Sequence, residues 1–154
     1  MALVTRRNSP SGALARQSLS EIIHIMAIRI VKLGTKRHNS EGLRVGTVHR
    51  PPRGVRKADY SRRDYYDVWL PELSPSAPLV SWLRSESITP KRWNVFERRY
   101  RKEMAQPAPQ RLIALLAALS KQTNFSFGCY CEDESNCHRS LLRTILNDHG
   151  ATII

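Results

Sequence analysis

The sequence predicts an α/β fold, with one compact domain in which helices flank a small mixed, partly parallel sheet. Its 154 residues suit a single domain that can bury a core of its own. The predicted elements follow the order β-β-β-α-α-α-β-α-β, so helices lie between strands as they do in α/β proteins. The closing strand-helix-strand unit favours parallel pairing, because such a crossover joins parallel strands.

The predicted domain occupies residues 26–154. Residues 1–25 are rich in Ser and Arg and contain the turn-forming run Ser9-Pro10-Ser11-Gly12. We expect residues 1–25 to be a disordered tail, or a mis-assigned segment that precedes a true start at Met26. A transit peptide is the alternative, although the segment lacks a convincing basic amphipathic helix.

Three short segments in the first half of the chain are predicted strands. Residues 27–33 are rich in β-branched side chains, and residues 43–49 alternate between apolar and polar ones. Residues 65–70 form the third candidate, which Pro71 ends. The segment after the second strand, residues 50–57, holds two prolines and a glycine, so we expect an irregular loop that carries arginines. We call it the arginine loop.

Three helices are predicted next. A short helix begins at Pro75-Ser76, and Thr89-Pro90 is a strong start for a second, with Thr as N-cap and Pro in the first turn. The second helix has an apolar stripe at spacings of three and four, formed by Trp93, Phe96, Tyr100 and Met104. Prolines in residues 106–109 are expected to end that helix, and residues 111–122 to form the next.

The last part of the chain contains the most informative motif. Residues 124–130 predict a strand and residues 136–148 a helix, while residues 151–154 suit a final strand. All three cysteines lie at the junction between that strand and helix, in the run Cys129-Tyr-Cys-Glu-Asp-Glu-Ser-Asn-Cys-His-Arg139. Such junctions bind ligands in α/β folds, because the first backbone N–H groups of a helix lack intrahelical partners. The sequence therefore predicts a site here.

The charge distribution favours acidic partners. The net charge is +12, and residues 29–63 carry eleven Lys and Arg against Glu41 and Asp59. A field of this sign attracts nucleic acids, nucleotides or phosphorylated metabolites. No apolar run approaches the ~20 residues that span a bilayer, so no membrane association is predicted. An odd cysteine count with two separated by one residue favours reduced thiols and a cytoplasmic location.

In the first interpretation, the junction is an anion pocket. Ser135 or Asn136 would cap the last helix and place Cys137, His138 and Arg139 in its first turn, where the helix dipole favours negative charge. The planar guanidinium of Arg139 suits phosphate or carboxylate. Cys137 is then the candidate nucleophile and His138 its base.

Two other interpretations remain open from the residues alone. Cys129, Cys131, Cys137 and His138 could bind zinc, although the C-x-C spacing and the adjacency of Cys137 and His138 fit a single ion poorly. Alternatively, the cysteines are small buried residues without a chemical role. Neither a G-x-G-x-x-G motif nor a P-loop occurs in the sequence, so no cofactor is predicted.

The chain resembles the YeaO-like proteins, a bacterial and archaeal group classed as a domain of unknown function. The resemblance covers most of residues 27–148. It rests on Arg50 with Pro52-Arg53-Gly54-Val55, on Trp69-Leu-Pro-Glu-Leu-Ser-Pro-Ser76, on Arg92-Trp93, Phe96, Arg99, Tyr100 and Glu103, and on Cys129 followed by Cys137-His138-Arg139.

The resemblance implies a compact cytoplasmic α/β domain in which the arginine loop and the Cys-His-Arg motif line one pocket. Arg50 and Arg53 would then face the ligand-binding candidates Cys129 and Arg139 and the catalytic candidates Cys137 and His138. The chain departs from the family where His49 replaces a usual Asp and where Cys131 replaces a common acidic residue.

We therefore expect a pocket for a phosphorylated or nucleotide-like small molecule, with a possible enzymatic role. The alternative is a nucleic-acid-binding module that uses the basic surface of residues 29–63 and 91–102. The sequence predicts neither the substrate nor the oligomeric state.

Overall fold

The computed structural model describes residues 26–154, and it has an α/β fold, as predicted. The expected tail, residues 1–25, lies outside the described residues. Four strands form one sheet in the order β1-β4-β2-β3, and each pairing between neighbouring strands is parallel. The strands are β1 (Ile28–Lys32), β2 (Leu43–Gly46), β3 (Val68–Trp69) and β4 (Phe125–Cys129).

β4 lies inside the sheet, between β1 and β2, and all five of its residues are buried. Its sequence, Phe-Ser-Phe-Gly-Cys, suits that position because a strand covered on both faces needs little polar surface. The predicted strand at 151–154 is reduced to one parallel bridge, in which Ile153 pairs with Ile28. The sheet is thus more uniformly parallel than the mixed sheet that the element order suggested.

Within residues 26–154, four α-helices connect and cover the strands. α1 and α2 begin where the sequence predicts, because the Ser76 hydroxyl accepts a hydrogen bond from the Leu79 N–H and that of Thr89 accepts one from the Arg92 N–H. None of the helices within residues 26–154 has the length and apolar character that a membrane crossing needs. The helices are α1 (Ala77–Arg84), α2 (Pro90–Met104), α3 (Pro107–Leu119) and α4 (His138–Asp148).

The start of α3 corrects the prediction. Residues 106–109 were expected to lie between helices, but α3 begins at Pro107 and includes Pro109 in its first turn. Proline is tolerated there because the first N–H groups of a helix have no intrahelical acceptor and the ring already holds a helical φ. The prolines therefore mark the beginning of α3 rather than a gap before it.

The helices and the sheet share one main hydrophobic core. Phe125 and Phe127 of β4 pack with buried side chains of α1 to α4, and Tyr100 of α2 is fully buried there. The Tyr100 hydroxyl donates to the Leu73 carbonyl at 2.8 Å, so its one polar atom is satisfied. A second, smaller cluster includes Cys129 and Cys137 and lies where β4 leads towards α4.

A buried ion pair joins the sheet to two loops. Glu41 and Arg44 have side chains that are 1% and 0% exposed, and their closest N–O distance is 2.5 Å. The Ser126 hydroxyl of β4 also donates to Glu41, at 2.6 Å. Arg44 donates further to the carbonyl oxygens of Thr35 and Asp64, at 2.8 and 2.6 Å. Each charged group is therefore hydrogen-bonded on several sides.

We expect Gly128→Ala to destabilise the domain by about 1–3 kcal/mol, because it overfills a packed position in β4. A Cβ atom there would lie 2.7 Å from both the Val31 carbonyl oxygen and the Leu33 Cδ2 atom. The carbonyl belongs to the neighbouring strand and cannot move without disturbing the sheet. Urea unfolding monitored by circular dichroism measures the effect, and an unchanged midpoint would contradict it.

Candidate functional site

The candidate site lies at the carboxyl ends of β2 and β4. These two strands are neighbours and parallel, so the segments that follow them leave the sheet at the same edge. Cys129 is the last residue of β4, and the chain after β2 leads through Thr47 to the arginine loop. Open α/β sheets place their ligands at this edge. The topology alone therefore brings the two predicted motifs together.

A cavity of about 930 Å³ opens between the arginine loop, α1 and the segment that links β4 to α4. Its lining includes five of the six residues singled out in the sequence, namely Arg50, Arg53, Cys129, Cys137 and His138. The Tyr130 hydroxyl donates to the Arg50 carbonyl at 3.1 Å, which joins the two predicted motifs directly.

Arg139, the sixth residue, does not line the cavity within residues 26–154. Its side chain is buried and donates to the carbonyl oxygens of Val31 and Cys131, at 2.8 and 2.7 Å. Its Nε atom is buried without a hydrogen-bond partner. The structure thus places Arg139 behind the cysteine segment, where it holds the backbone at Cys131, and not where the sequence analysis expected an anion ligand.

The sulfur atoms of the three cysteines form a tight cluster in the cavity lining, and we call it the thiol cluster (Cys129, Cys131 and Cys137). All three sulfurs lie within 4.8 Å of one another, and those of Cys129 and Cys131 are 3.7 Å apart. Cys129 and Cys137 are buried, whereas Cys131 is half-buried. Cys131 is therefore the most accessible thiol of the cluster.

His138 has a defined tautomer. Its Nε2 lies 2.8 Å from the Thr47 carbonyl oxygen, which can only accept, so Nε2 carries the proton and Nδ1 is free to accept. Nδ1 lies 3.7 Å from the Cys137 sulfur. Burial lowers the pKa of His138 to about 4, so the imidazole is neutral at pH 7. Among the residues described, His138 is not part of the group with metal-ligand spacing, so the zinc interpretation loses its fourth ligand.

Cys137, rather than Ser135 or Asn136, is the N-cap of α4, which corrects a further prediction. Ser135 and Asn136 instead donate to the carboxylate of Asp133 in the preceding turn. α4 therefore begins at His138, one or two residues later than a Ser or Asn cap would give.

The pKa values of the three thiols in the cluster are shifted in different directions. Hydrogen bonds from the Cys129 and Cys137 thiols lower the pKa of Cys131 well below its ordinary value, and the positive charge of Arg84 adds to the effect. The pKa of Cys129 is raised, first because its thiol donates to Cys131. Interactions with the other two cysteines raise the pKa of Cys137, and burial adds to this. Cys131 is thus the cysteine of the cluster whose pKa is lowered.

The three acidic residues between the cysteines, Glu132, Asp133 and Glu134, each have a partner outside the thiol cluster. Glu132 pairs with Lys32, and Glu134 pairs with Arg143 at 2.8 Å. The carboxylate of Asp133 accepts hydrogen bonds from Ser135 and Asn136 of its own turn. None of these three acids is among the residues described as lining the cavity.

Sequence reasoning missed Arg84 and considered Cys131 only as a possible zinc ligand. Arg84 ends α1 and reaches the cavity from an element that carries no motif, so no local pattern could identify it. Cys131 carried a usable signal, because it lies two residues beyond the buried end of β4 and so emerges from the sheet near its carboxyl edge.

One family model, described as "Active DUF488-N3 subclade", matches residues 28–150 of the chain. The matched range contains every strand and helix described above, the arginine loop and the thiol cluster. No curated protein and no solved structure matches the chain.

Proposed function

The chain belongs to the DUF488 family, and we propose that its cavity binds a phosphate-bearing or nucleotide-like small molecule on which Cys131 acts as a nucleophile. YeaO-like proteins are members of the same family, so the resemblance noted from the motifs is confirmed. The observation that carries the proposal is the composition of the cavity wall. Within the part of the chain that the structure describes, this wall contains three arginines, no carboxylate and a half-buried cysteine whose pKa is lowered.

The three arginines are Arg50, Arg53 and Arg84. Within residues 26–154 none of them forms an ion pair, whereas Arg37, Arg56, Arg62, Arg92, Arg101 and Arg143 pair with nearby acids. Their charge is therefore available to a ligand. The planar guanidinium group binds phosphate or carboxylate through two parallel hydrogen bonds, so this wall suits an anionic group.

The nucleophile that this geometry favours is Cys131 rather than Cys137. The thiolate is the reactive form of cysteine, and Cys131 combines a lowered pKa with access to the cavity. Interactions with the other two cysteines and burial raise the pKa of Cys137, so Cys137 keeps its proton and is not the nucleophile. The Cys131 sulfur would form a bond to the electrophilic atom of the ligand, and the leaving group would depart with its electron pair. A working thiolate needs reducing conditions, which fits a cytoplasmic protein.

Replacing an arginine of the cavity wall should weaken anion binding without unfolding the protein. For Arg53→Ala and Arg84→Ala we expect about tenfold or weaker binding of phosphate, pyrophosphate or a nucleoside phosphate, since a charge-assisted contact contributes about 1.5–3 kcal/mol. Both side chains are exposed, so the fold should not depend on them. Thermal unfolding with each anion, followed by calorimetric titration of those that stabilise the wild type, measures the effect.

Arg98→Ala is the matched control, because Arg98 is an exposed arginine of α2 outside the cavity lining. If it weakens binding as much as Arg53→Ala does, the effect comes from the overall charge and the pocket proposal fails. Stabilisation by short oligonucleotides alone, lost steeply as salt is raised, would instead favour the nucleic-acid alternative.

A further inference from the structure

We propose that Cys131 is an oxidation site for hydroperoxides, and that its sulfenic acid condenses with the Cys129 thiol to form a disulfide. This inference goes beyond the anion-binding proposal, since it needs no bound anion. It rests on the arrangement of the thiol cluster, in which the half-buried Cys131 lies beside the buried Cys129 and Cys137.

Access differs sharply within the cluster. Cys131 is half-buried in the cavity lining, while the residues Cys129 and Cys137 are only 8% and 2% exposed. A small hydroperoxide entering the cavity therefore meets Cys131 first. Accessible cysteines with thiolate character and a thiol nearby are the ones that oxidise selectively and reversibly.

The charges around Cys131 support the first step. The lowered pKa of Cys131 keeps its sulfur negative, and its neighbours keep their protons. The thiolate sulfur attacks the terminal oxygen of the hydroperoxide, an S–O bond forms and the O–O bond breaks. The leaving oxygen takes the electron pair and a proton from water. Cys131 becomes a sulfenic acid, and the peroxide is reduced to water or an alcohol.

The position of Cys129 supports the second step. Its sulfur lies 3.7 Å from that of Cys131, and the Cys137 sulfur has a second neighbour, Nδ1 of His138, also at 3.7 Å. The Cys129 sulfur attacks the Cys131 sulfur, an S–S bond forms and the S–O bond breaks. The hydroxyl group leaves with the Cys129 proton as water, so atoms and electrons balance.

The backbone allows this closure. The chain bends at Tyr130, immediately after β4 ends, so Cys131 lies outside the sheet. The two sulfurs must approach to about 2.0 Å, and a bend between two cysteines brings their Cα atoms towards the range that disulfides require. No ladder hydrogen bond of β4 holds Cys131, and the hydrogen bond from Arg139 holds its carbonyl oxygen rather than its sulfur, so the Cys131 side chain can turn towards Cys129.

The test uses the full chain, reduced, treated with a chelator so that the thiols are free of metal, and then exposed to a few equivalents of hydrogen peroxide. We expect the wild type to lose two hydrogens, measured by intact mass, about tenfold or more faster than Cys131→Ser loses them. Cleavage after Glu132 and Glu134 separates Cys137 from the other two cysteines. A Cys129–Cys131 disulfide therefore leaves Cys137 on its own fragment, free to be alkylated.

Two variants complete the test. Cys129→Ser should stop at the sulfenic acid, which dimedone traps on Cys131, and Cys137→Ser should form the disulfide as the wild type does. A disulfide that keeps the Cys137 fragment attached, or oxidation of wild type no faster than that of Cys131→Ser, would overturn the proposal. The fragment assignment uses wild-type protein, so it holds even if a variant folds poorly. Loss of anion binding in Arg53→Ala has no bearing on it.

Discussion

Replacing Glu41 with alanine should lower the free energy of unfolding by about 3–5 kcal/mol, because it leaves the buried guanidinium of Arg44 without its counter-charge. The Arg44 side chain is 0% exposed and cannot recover water as a partner. Ser126 would also lose the carboxylate to which its hydroxyl donates. Since domains of this size are stable by about 5–15 kcal/mol, the loss is a large share of the total. Equilibrium urea unfolding measures it.

Two control variants separate burial from charge. Glu97 pairs with Arg101 on the surface of α2, and both side chains are about one-third exposed. Glu97→Gln should therefore change stability by about 0.5 kcal/mol or less. The double variant Glu41→Leu/Arg44→Met removes both buried charges, so we expect it to be more stable than Glu41→Ala. Equal losses in Glu41→Ala and Glu97→Gln would contradict the assignment of the buried pair as a main support of the fold.

The same pair predicts how stability depends on pH. Burial acts to raise the pKa of Glu41, but hydrogen bonds from Arg44 and Ser126 outweigh it and lower the pKa to about 2. A carboxyl group with a lowered pKa contributes fully above its unfolded value of 4.5 and loses that contribution as the pH falls towards about 2. Wild-type stability should therefore fall across this interval, and Glu41→Ala should show a smaller fall.

The fold was largely predictable because its elements carry local signals. β4 follows from an apolar β-prone run, and α2 follows from its Thr-Pro start and its apolar stripe. The position of the site was predictable for a related reason: parallel strands end at one edge, so the arginine loop and the Cys-His-Arg motif had to lie near each other.

The roles of individual charged residues were not predictable, because burial of a charge depends on elements distant in sequence. In the sequence Glu41 and Arg44 resemble ordinary surface charges of a loop and a strand. They are buried because Ser126 contacts Glu41 and the Asp64 carbonyl contacts Arg44, and both of these residues are distant in sequence. Arg139 reads as a ligand at a helix start, yet its guanidinium lies behind the cysteine segment. The predicted start of α3 was wrong for a different reason, since prolines are compatible both with the end of one helix and with the first turn of the next.

Cys131 should react with iodoacetamide at pH 6 at a rate within about twofold of its rate at pH 8, because its sulfur stays ionised across that range. An ordinary cysteine with a pKa near 8.5 loses close to a hundredfold of its thiolate over the same interval. Hydrogen bonds from the Cys129 and Cys137 thiols and the charge of Arg84 lower the pKa of Cys131 by more than burial raises it. Alkylation times followed by mass spectrometry of the cleaved chain measure each cysteine separately.

The unfolded chain provides the internal control, because in urea Cys131 should regain the steep pH dependence of an ordinary thiol. Cys129→Ala removes the donor 3.7 Å from the Cys131 sulfur and should slow the reaction at pH 6 more than at pH 8. If the folded wild type loses a hundredfold between pH 8 and pH 6, then Cys131 is a neutral thiol. The proposals that Cys131 is a nucleophile and that it is an oxidation site would then both be wrong. The proposal that Arg50, Arg53 and Arg84 bind an anion would be unaffected, because it does not depend on Cys131. The pH dependence of Cys131 alkylation therefore tests the reactivity of the cavity separately from its ability to bind an anion.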